Sequence, residues 1–145
     1  MLNQDFREFI ESLNANKVRY LVIGGYAVAF HGNPRYTKDL DIWVEVSSEN
    51  ASRMITALNQ FGFSSLEINE QDILTKDQVI QLGNPPNRID LHNTISGVEF
   101  SHCYESRIKA EIDDIVVNFI DLEALKKNKS SSGRHQDLAD LEKLK

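Results

Sequence analysis

Asp39-Leu40-Asp41-Ile42-Trp43-Val44 places two carboxylates at the head of an otherwise apolar run. The run reads as a buried strand. Residues two apart on a strand point to the same face, so Asp39 and Asp41 project together. Side by side they repel and lose hydration, which a fold tolerates where a cation or hydrogen-bonding partners offset the cost. Upstream, Leu21-Val22-Ile23-Gly24-Gly25-Tyr26-Ala27-Val28-Ala29 is a second apolar strand that runs into a glycine pair and then a small-residue helix. Downstream, Arg88-Ile89-Asp90-Leu91 again sets an acid between aliphatics. Together these segments point to phosphate chemistry on a metal held by carboxylates.

The rest of the chain supplies a frame for them. Phe6, Phe9, Ile10 and Leu13 recur at helical spacing and predict an amphipathic helix over 3–15. Strands are expected at 20–23, 40–46 and 88–92. His31-Gly32-Asn33-Pro34 stops the helix at 26–30, and Arg35-Tyr36-Thr37-Lys38 is a polar approach to the acidic strand. Ser47 offers an N-cap to a helix with Ala51, Met54, Ile55 and Leu58 on one face, closed by Phe61-Gly62-Phe63. Residues 66–82 read as weak strands in a hairpin turning at Lys76-Asp77, and Asn84-Pro85-Pro86-Asn87 is a loop. A short helix falls within 96–107, followed by strands at 108–112 and 115–119 with Asp113-Asp114 between them. Helices start at Leu122 and Gln136, joined by Ser130-Ser131-Ser132-Gly133. Leu138, Leu141 and Leu144 form a stripe expected to face the core.

Composition narrows the class of protein. A length of 145 residues suits one domain, 1–145, with a modest core. A single cysteine, Cys103, excludes an internal disulfide framework and suits a reducing cytoplasm; beside Tyr104 it reads as a core residue rather than a nucleophile. No apolar run approaches the ~20 residues needed to span a bilayer, and no signal peptide is expected at Met1-Leu2-Asn3-Gln4-Asp5. The net charge of -6 argues against binding nucleic acid by bulk electrostatics and agrees with a site that concentrates divalent cations.

The order apolar-Gly-Gly, spacer, Asp-Leu-Asp-Ile, then a later apolar-Asp-apolar strand resembles the nucleotidyltransferase superfamily, the DNA polymerase β-like fold. The tail Asn128-Lys129-Ser130-Ser131-Ser132-Gly133-Arg134-His135-Gln136-Asp137-Leu138-Ala139-Asp140-Leu141 resembles a segment of small bacterial nucleotidyltransferases, some related to abortive-infection toxins. The resemblance spans about residues 18 to 144. It implies an α/β (α+β) fold, a mixed sheet flanked by helices, with a catalytic core over 18–120 and a helical tail over 121–145. It also implies Mg²⁺-dependent transfer of a nucleoside monophosphate from an NTP, such as ATP, to a hydroxyl acceptor with release of pyrophosphate. The acceptor is open: an RNA end, a protein hydroxyl or a small molecule. A homodimer or an antitoxin-type protein partner would complete the pocket of so short a chain.

Nucleotidyl transfer needs in-line attack on the α-phosphorus, and two Mg²⁺ ions roughly 3.5–4 Å apart serve attacking and leaving oxygens. Hard cations take oxygen ligands, which Asp39, Asp41 and Asp90 would supply from adjacent strands. Asp90 would also draw the proton from the acceptor hydroxyl. Gly24 and Gly25 either let the backbone approach phosphate oxygens or simply make a tight turn; they form neither a Walker loop nor a dinucleotide fingerprint. Arg35, Thr37 and Lys38 could meet a phosphate or lie in a solvated loop. Lys129 and Arg134 either bind the β- and γ-phosphates or form a charge cluster at the helix ends, with Arg134 paired to Asp137 or Asp140. His31, His92, His102 and His135 have no zinc-ligand spacing. His92 and Trp43, each two past an acid, either flank the site or pack. Two rivals remain: a silent nucleotidyltransferase-fold binding protein (for example one partner of a toxin–antitoxin pair), and a sugar-nucleotide glycosyltransferase. Against the second stand the glycine pair and the short chain.

Overall fold

The computed structural model describes residues 2–32, 39–62, 67–84 and 87–144. Helix α1 (Gln4–Ala15) buries Phe6, Phe9, Ile10 and Leu13 and is capped by Asn3, whose side chain accepts from the Phe6 N–H. Strand β1 (Tyr20–Ile23) runs directly into α2 (Gly24–Phe30). Strand β2 (Leu40–Val44) precedes α3 (Ser48–Phe61), which Ser47 caps at one end and Gly62 closes at the other. Then come α4 (Glu70–Leu74), β3 (Val79–Leu82), β4 (Ile89–His92) and α5 (Phe100–Glu105). Strands β5 (Ile108–Ile112) and β6 (Ile115–Phe119) are joined at Asp113 and Asp114, both at positive φ as a two-residue hairpin turn requires. Helices α6 (Leu122–Ser132) and α7 (His135–Lys143) follow.

The six strands form one mixed sheet in the order β3-β4-β2-β1-β6-β5. Strand β2 runs antiparallel to β1 and parallel to β4; β1 runs parallel to β6; both outer pairs are antiparallel. Leu40, Ile42, Trp43 and Val44 are all buried, so β2 is covered on both faces except where its acids emerge. Asn50, buried in α3, ties the far ends of β1 and β2 together. Its Oδ1 accepts from the Arg19 N–H (2.7 Å) and its Nδ2 donates to the carbonyls of Arg19 and Glu45. Within β2 only Asp41 is not fully buried. No helix among the described residues is long and apolar enough to cross a membrane.

Three local expectations are corrected. The first half of the supposed 66–82 hairpin is helix α4. Asn69 and Asp72 form a reciprocal capping box at its start, and Ile73 anchors it in the core. The segment Ser130–Ser132 is the last turn of α6 rather than a joint, and the break lies at Gly133, at φ 66°, and the extended Arg134. On α7 the inward residues are Asp137 and Asp140 with Leu144 just beyond, while Leu138 is 47% exposed. The leucine stripe therefore does not face the core as a whole. Cys103 is buried as expected, and burial pushes its thiol up to about 11, away from nucleophile chemistry. Asn33, Pro34, Arg35, Tyr36, Thr37, Lys38, Phe63, Pro85 and Pro86 lie outside the described residues.

Candidate active site

In the parallel pairing of β2 with β4, Asp41 stands directly opposite Asp90, and across β2 on its other side it faces Ile23, the last residue of β1. Asp39 precedes β2 by one residue and shares the face of Asp41. The three carboxylates thus open into one cleft of about 730 Å³, whose lining includes Gly24, Arg88, His92, Lys129, Arg134 and Asp137. Trp43 is buried against Phe100, edge to face at 5.1 Å, and belongs to the core.

Gly24 has a specific task. It sits at φ 65°, and a Cβ built on it would overlap Asp41 Oδ2 and stand 3.0 Å from Asp41 Cβ. The strand-to-helix turn must be bare of side chain for the Asp41 carboxylate to lie against it. Gly25 is buried in α2 and takes no part in the cleft lining.

The acids are held by partners. Arg88, just before β4, donates from Nη2 to Asp39 Oδ2 at 2.8 Å and to Asp90 Oδ2 at 3.1 Å. Its Nε lies 3.0 Å from Asp90 Oδ1 but is not aligned as a hydrogen bond, so among the described residues the buried Oδ1 has no donor. Burial pushes the Asp90 carboxyl above its ordinary range; the Arg88 hydrogen bond pulls it back without cancelling the shift, and Asp41 adds to it. Asp90 in turn strengthens protonation of Arg88. His92, two past Asp90, places Nε2 at 2.9 Å from Asp41 Oδ1.

Hard, all-oxygen donors and an orphaned buried carboxylate oxygen fit a hard divalent cation in kind. As they stand, the side chains are ion-paired rather than convergent. Among the described residues no three His, Cys, Asp or Glu groups are placed to hold one metal ion.

The tail supplies one wall of the cleft, and its charges have partners of their own. Lys129 is buried, with Nζ 2.9 Å from Asp137 Oδ1 and 3.1 Å from Asp140 Oδ2. Asp137 also accepts from Ser132 and, at 2.8 Å, from Nε of the exposed Arg134. Lys129 thus forms an ion cluster that clamps α6 to α7 with two of its ammonium donors, while still lining the cleft. Lys126 and Lys127 do not line the cleft. Arg88 went unnoticed in the sequence, although the alternation that put His92 on the face of Asp90 also puts Arg88 there, two residues before it.

No protein-family model matches the sequence, and no curated protein does. Solved structures do. TM1012 of Thermotoga maritima, named as a nucleotidyltransferase, superposes with a TM-score of 0.66 at 16% identity, covering 95% of this chain and 88% of its own. The lincosamide antibiotic adenylyltransferase LnuA, solved with lincomycin bound, gives 0.62 at 17% identity over 99% and 96% of the two chains. An antigenic nucleotidyltransferase-like protein from Paracoccidioides brasiliensis gives 0.56 at 15%, over 97% and 74%. The chain has the nucleotidyltransferase fold, an α+β arrangement of one mixed sheet and flanking helices.

Proposed function

We propose that this chain is a metal-dependent nucleotidyltransferase that moves a nucleoside monophosphate from an NTP to a hydroxyl acceptor. One observation carries the reading: Asp39, Asp41 and Asp90 open into a single cleft from adjacent strands, with the bare turn at Gly24 against Asp41. Mg²⁺, when bound by Asp39, Asp41 and Asp90, would supply Lewis-acid stabilisation of the phosphate oxygens. His92 fixes the orientation of Asp41, and Gly24 lets the Asp41 carboxylate press against the strand end. Asp90 accepts the proton of the acceptor hydroxyl, which needs a carboxylate within hydrogen-bond reach of that hydroxyl. The hydroxyl oxygen bonds to the α-phosphorus, the bond from that phosphorus to the bridging oxygen breaks, and pyrophosphate leaves with the electron pair. Exposed Arg134, which lines the cleft and pairs with Asp137, would meet the departing phosphates.

LnuA is named for an antibiotic acceptor, and at 17% identity that acceptor does not transfer to this chain. The test is incubation with each α-labelled NTP, Mg²⁺ and cell lysate, followed by fractionation into RNA, protein and small molecules. Label is expected in one fraction and absent with Asp41→Asn, whose circular dichroism and melting should match the parent. Equal labelling by Asp41→Asn removes the carboxylate mechanism. Nucleotide binding without transfer to any fraction would favour the silent binding protein.

A further inference from the structure

We infer that Arg88 is a phosphate ligand held in reserve: the guanidinium bridges Asp39 and Asp90 until a divalent cation takes that place, and it then turns to the nucleotide. The inference rests on the nucleotidyl-transfer reading above. The guanidinium now occupies the space between carboxylates of two neighbouring structural segments, 2.8 Å from one and 3.0 Å from the other. A divalent cation bound by the same carboxylates cannot share that space with a guanidinium, because like charges at contact distance repel. Arg88 is also an imperfect occupant, since it leaves the buried Asp90 Oδ1 without an aligned donor. That oxygen is what a hard cation would engage.

The backbone of Arg88 is fixed in the sheet, and among the described residues its side chain is held only by the two carboxylates. The Arg88 carbonyl accepts from the Leu40 N–H at 3.1 Å and so belongs to the β2–β4 ladder, whereas its side chain is 28% exposed to the cleft. A triphosphate brings about four negative charges, more than two dications balance once three carboxylates hold them. Lys129 already directs two of its three ammonium donors to Asp137 and Asp140. Arg88, freed from its carboxylates, would present a planar fork matched to phosphate oxygens.

This arrangement makes one substitution act with opposite signs on two ligands. In Arg88→Gln, Mn²⁺ alone, followed by calorimetry or by the electron-spin signal of free Mn²⁺, should bind about tenfold tighter than to the parent, within the usual range of coupled sites. A non-hydrolysable ATP analogue, titrated at saturating Mn²⁺, should bind about tenfold weaker. A purely structural ion pair predicts neither: Mn²⁺ binding that is unchanged or weaker in the variant overturns the inference, as does unchanged ATP affinity, and both leave the transferase reading in place. Absence of Mn²⁺ binding by parent and variant alike overturns the inference and the metal-dependent reading together. Should Arg88→Gln fail to fold, Arg88→Lys keeps one charge without the fork. With a cation still beside the carboxylates it should bind Mn²⁺ no tighter than the parent, yet bind the ATP analogue more weakly for want of the fork; parental affinity for the analogue sinks the proposal.

Discussion

A methyl group on Gly24 would strike the Asp41 carboxylate, and the positive φ there would strain any L side chain as well. Gly62, which ends α3 at φ 110°, has the second problem without the first, because nothing lies within 4 Å of its Cβ position. The pair separates backbone strain from displacement of the acid. Gly62→Ala should cost about 1 kcal/mol in a urea titration and leave transfer rates unchanged. Gly24→Ala should cost about 1–3 kcal/mol and also slow transfer by about 100-fold, since misplacing a reacting group by an ångström has that order of effect. Equal rates in the two variants would mean that Asp41 does not depend on the bare turn. The acids themselves were legible in the sequence because a period of two fixes which residues share a face. Arg88 obeys the same rule, two residues before Asp90. The ion pair of Asp39 depends on Arg88 reaching across from the neighbouring strand, which spacing alone does not specify.

Helix α7 turns its two aspartates inward, and the reason is an element away. Buried Lys129 on α6 needs counter-charge, and Asp137 and Asp140 supply it. In sequence, Asp137-Leu138 and Asp140-Leu141 offer acid and leucine stripes offset by one residue, and hydrophobicity alone selects the leucines. Burial in the structure selects the acids. Helix α4 was hidden for a different reason: five residues carry no helical period, and only its cap signals it. The cluster also makes the α6–α7 pair sensitive to acid. Burial opposes ionisation of Asp137, yet hydrogen bonds from Ser132, Lys129 and Arg134 outweigh it and hold the carboxyl at about 2, below the ordinary 3.8. A carboxyl depressed in the folded state contributes stability that is complete above its unfolded pKa and is lost as pH falls through the folded one. The contribution is about 2 kcal/mol, present above about pH 4 and lost toward about pH 2. Urea titrations across that window should show a steeper fall for the parent than for Asp137→Asn. Parallel slopes would place the acid sensitivity elsewhere. Lys129→Met, which leaves two buried acids short of a partner, should cost about 3 kcal/mol at neutral pH.

At the scale of the molecule, the question is whether the tail is an appendage or part of the body that forms the cleft. The order of strands and helices was readable because each carries its own period or turn, and the tail's helices were readable too. What the sequence left open was where they dock, since that depends on pairs distant in the chain. The docking point is the loop after β4. Gly97 there is at φ 82°, and a Cβ on it would stand 2.6 Å from Cβ of Ser131 and 3.2 Å from the Lys127 carbonyl oxygen. Beside it, Asn128 Nδ2 donates to the Ser96 carbonyl at 3.1 Å, and Leu125 is fully buried. Helix α6 is therefore packed onto the same connection that leaves Asp90 and His92, and its Lys129, with Arg134 and Asp137 beyond it, walls the cleft. A wedge at this contact should act on fold and ligand together. Gly97→Ala is expected to destabilise by about 2 kcal/mol, from the strained φ and from contact with α6, lowering the melting temperature by several degrees. Nucleotide affinity should fall with it, because the wall moves when the helix does. Adding Ser131→Gly removes the side-chain part of the clash and leaves the backbone strain and the Lys127 contact. The double variant should therefore recover nucleotide affinity further than it recovers stability. Recovery of neither would place the cost in the loop's own conformation, and an affinity untouched in the single variant would mean that the tail stands apart from the ligand.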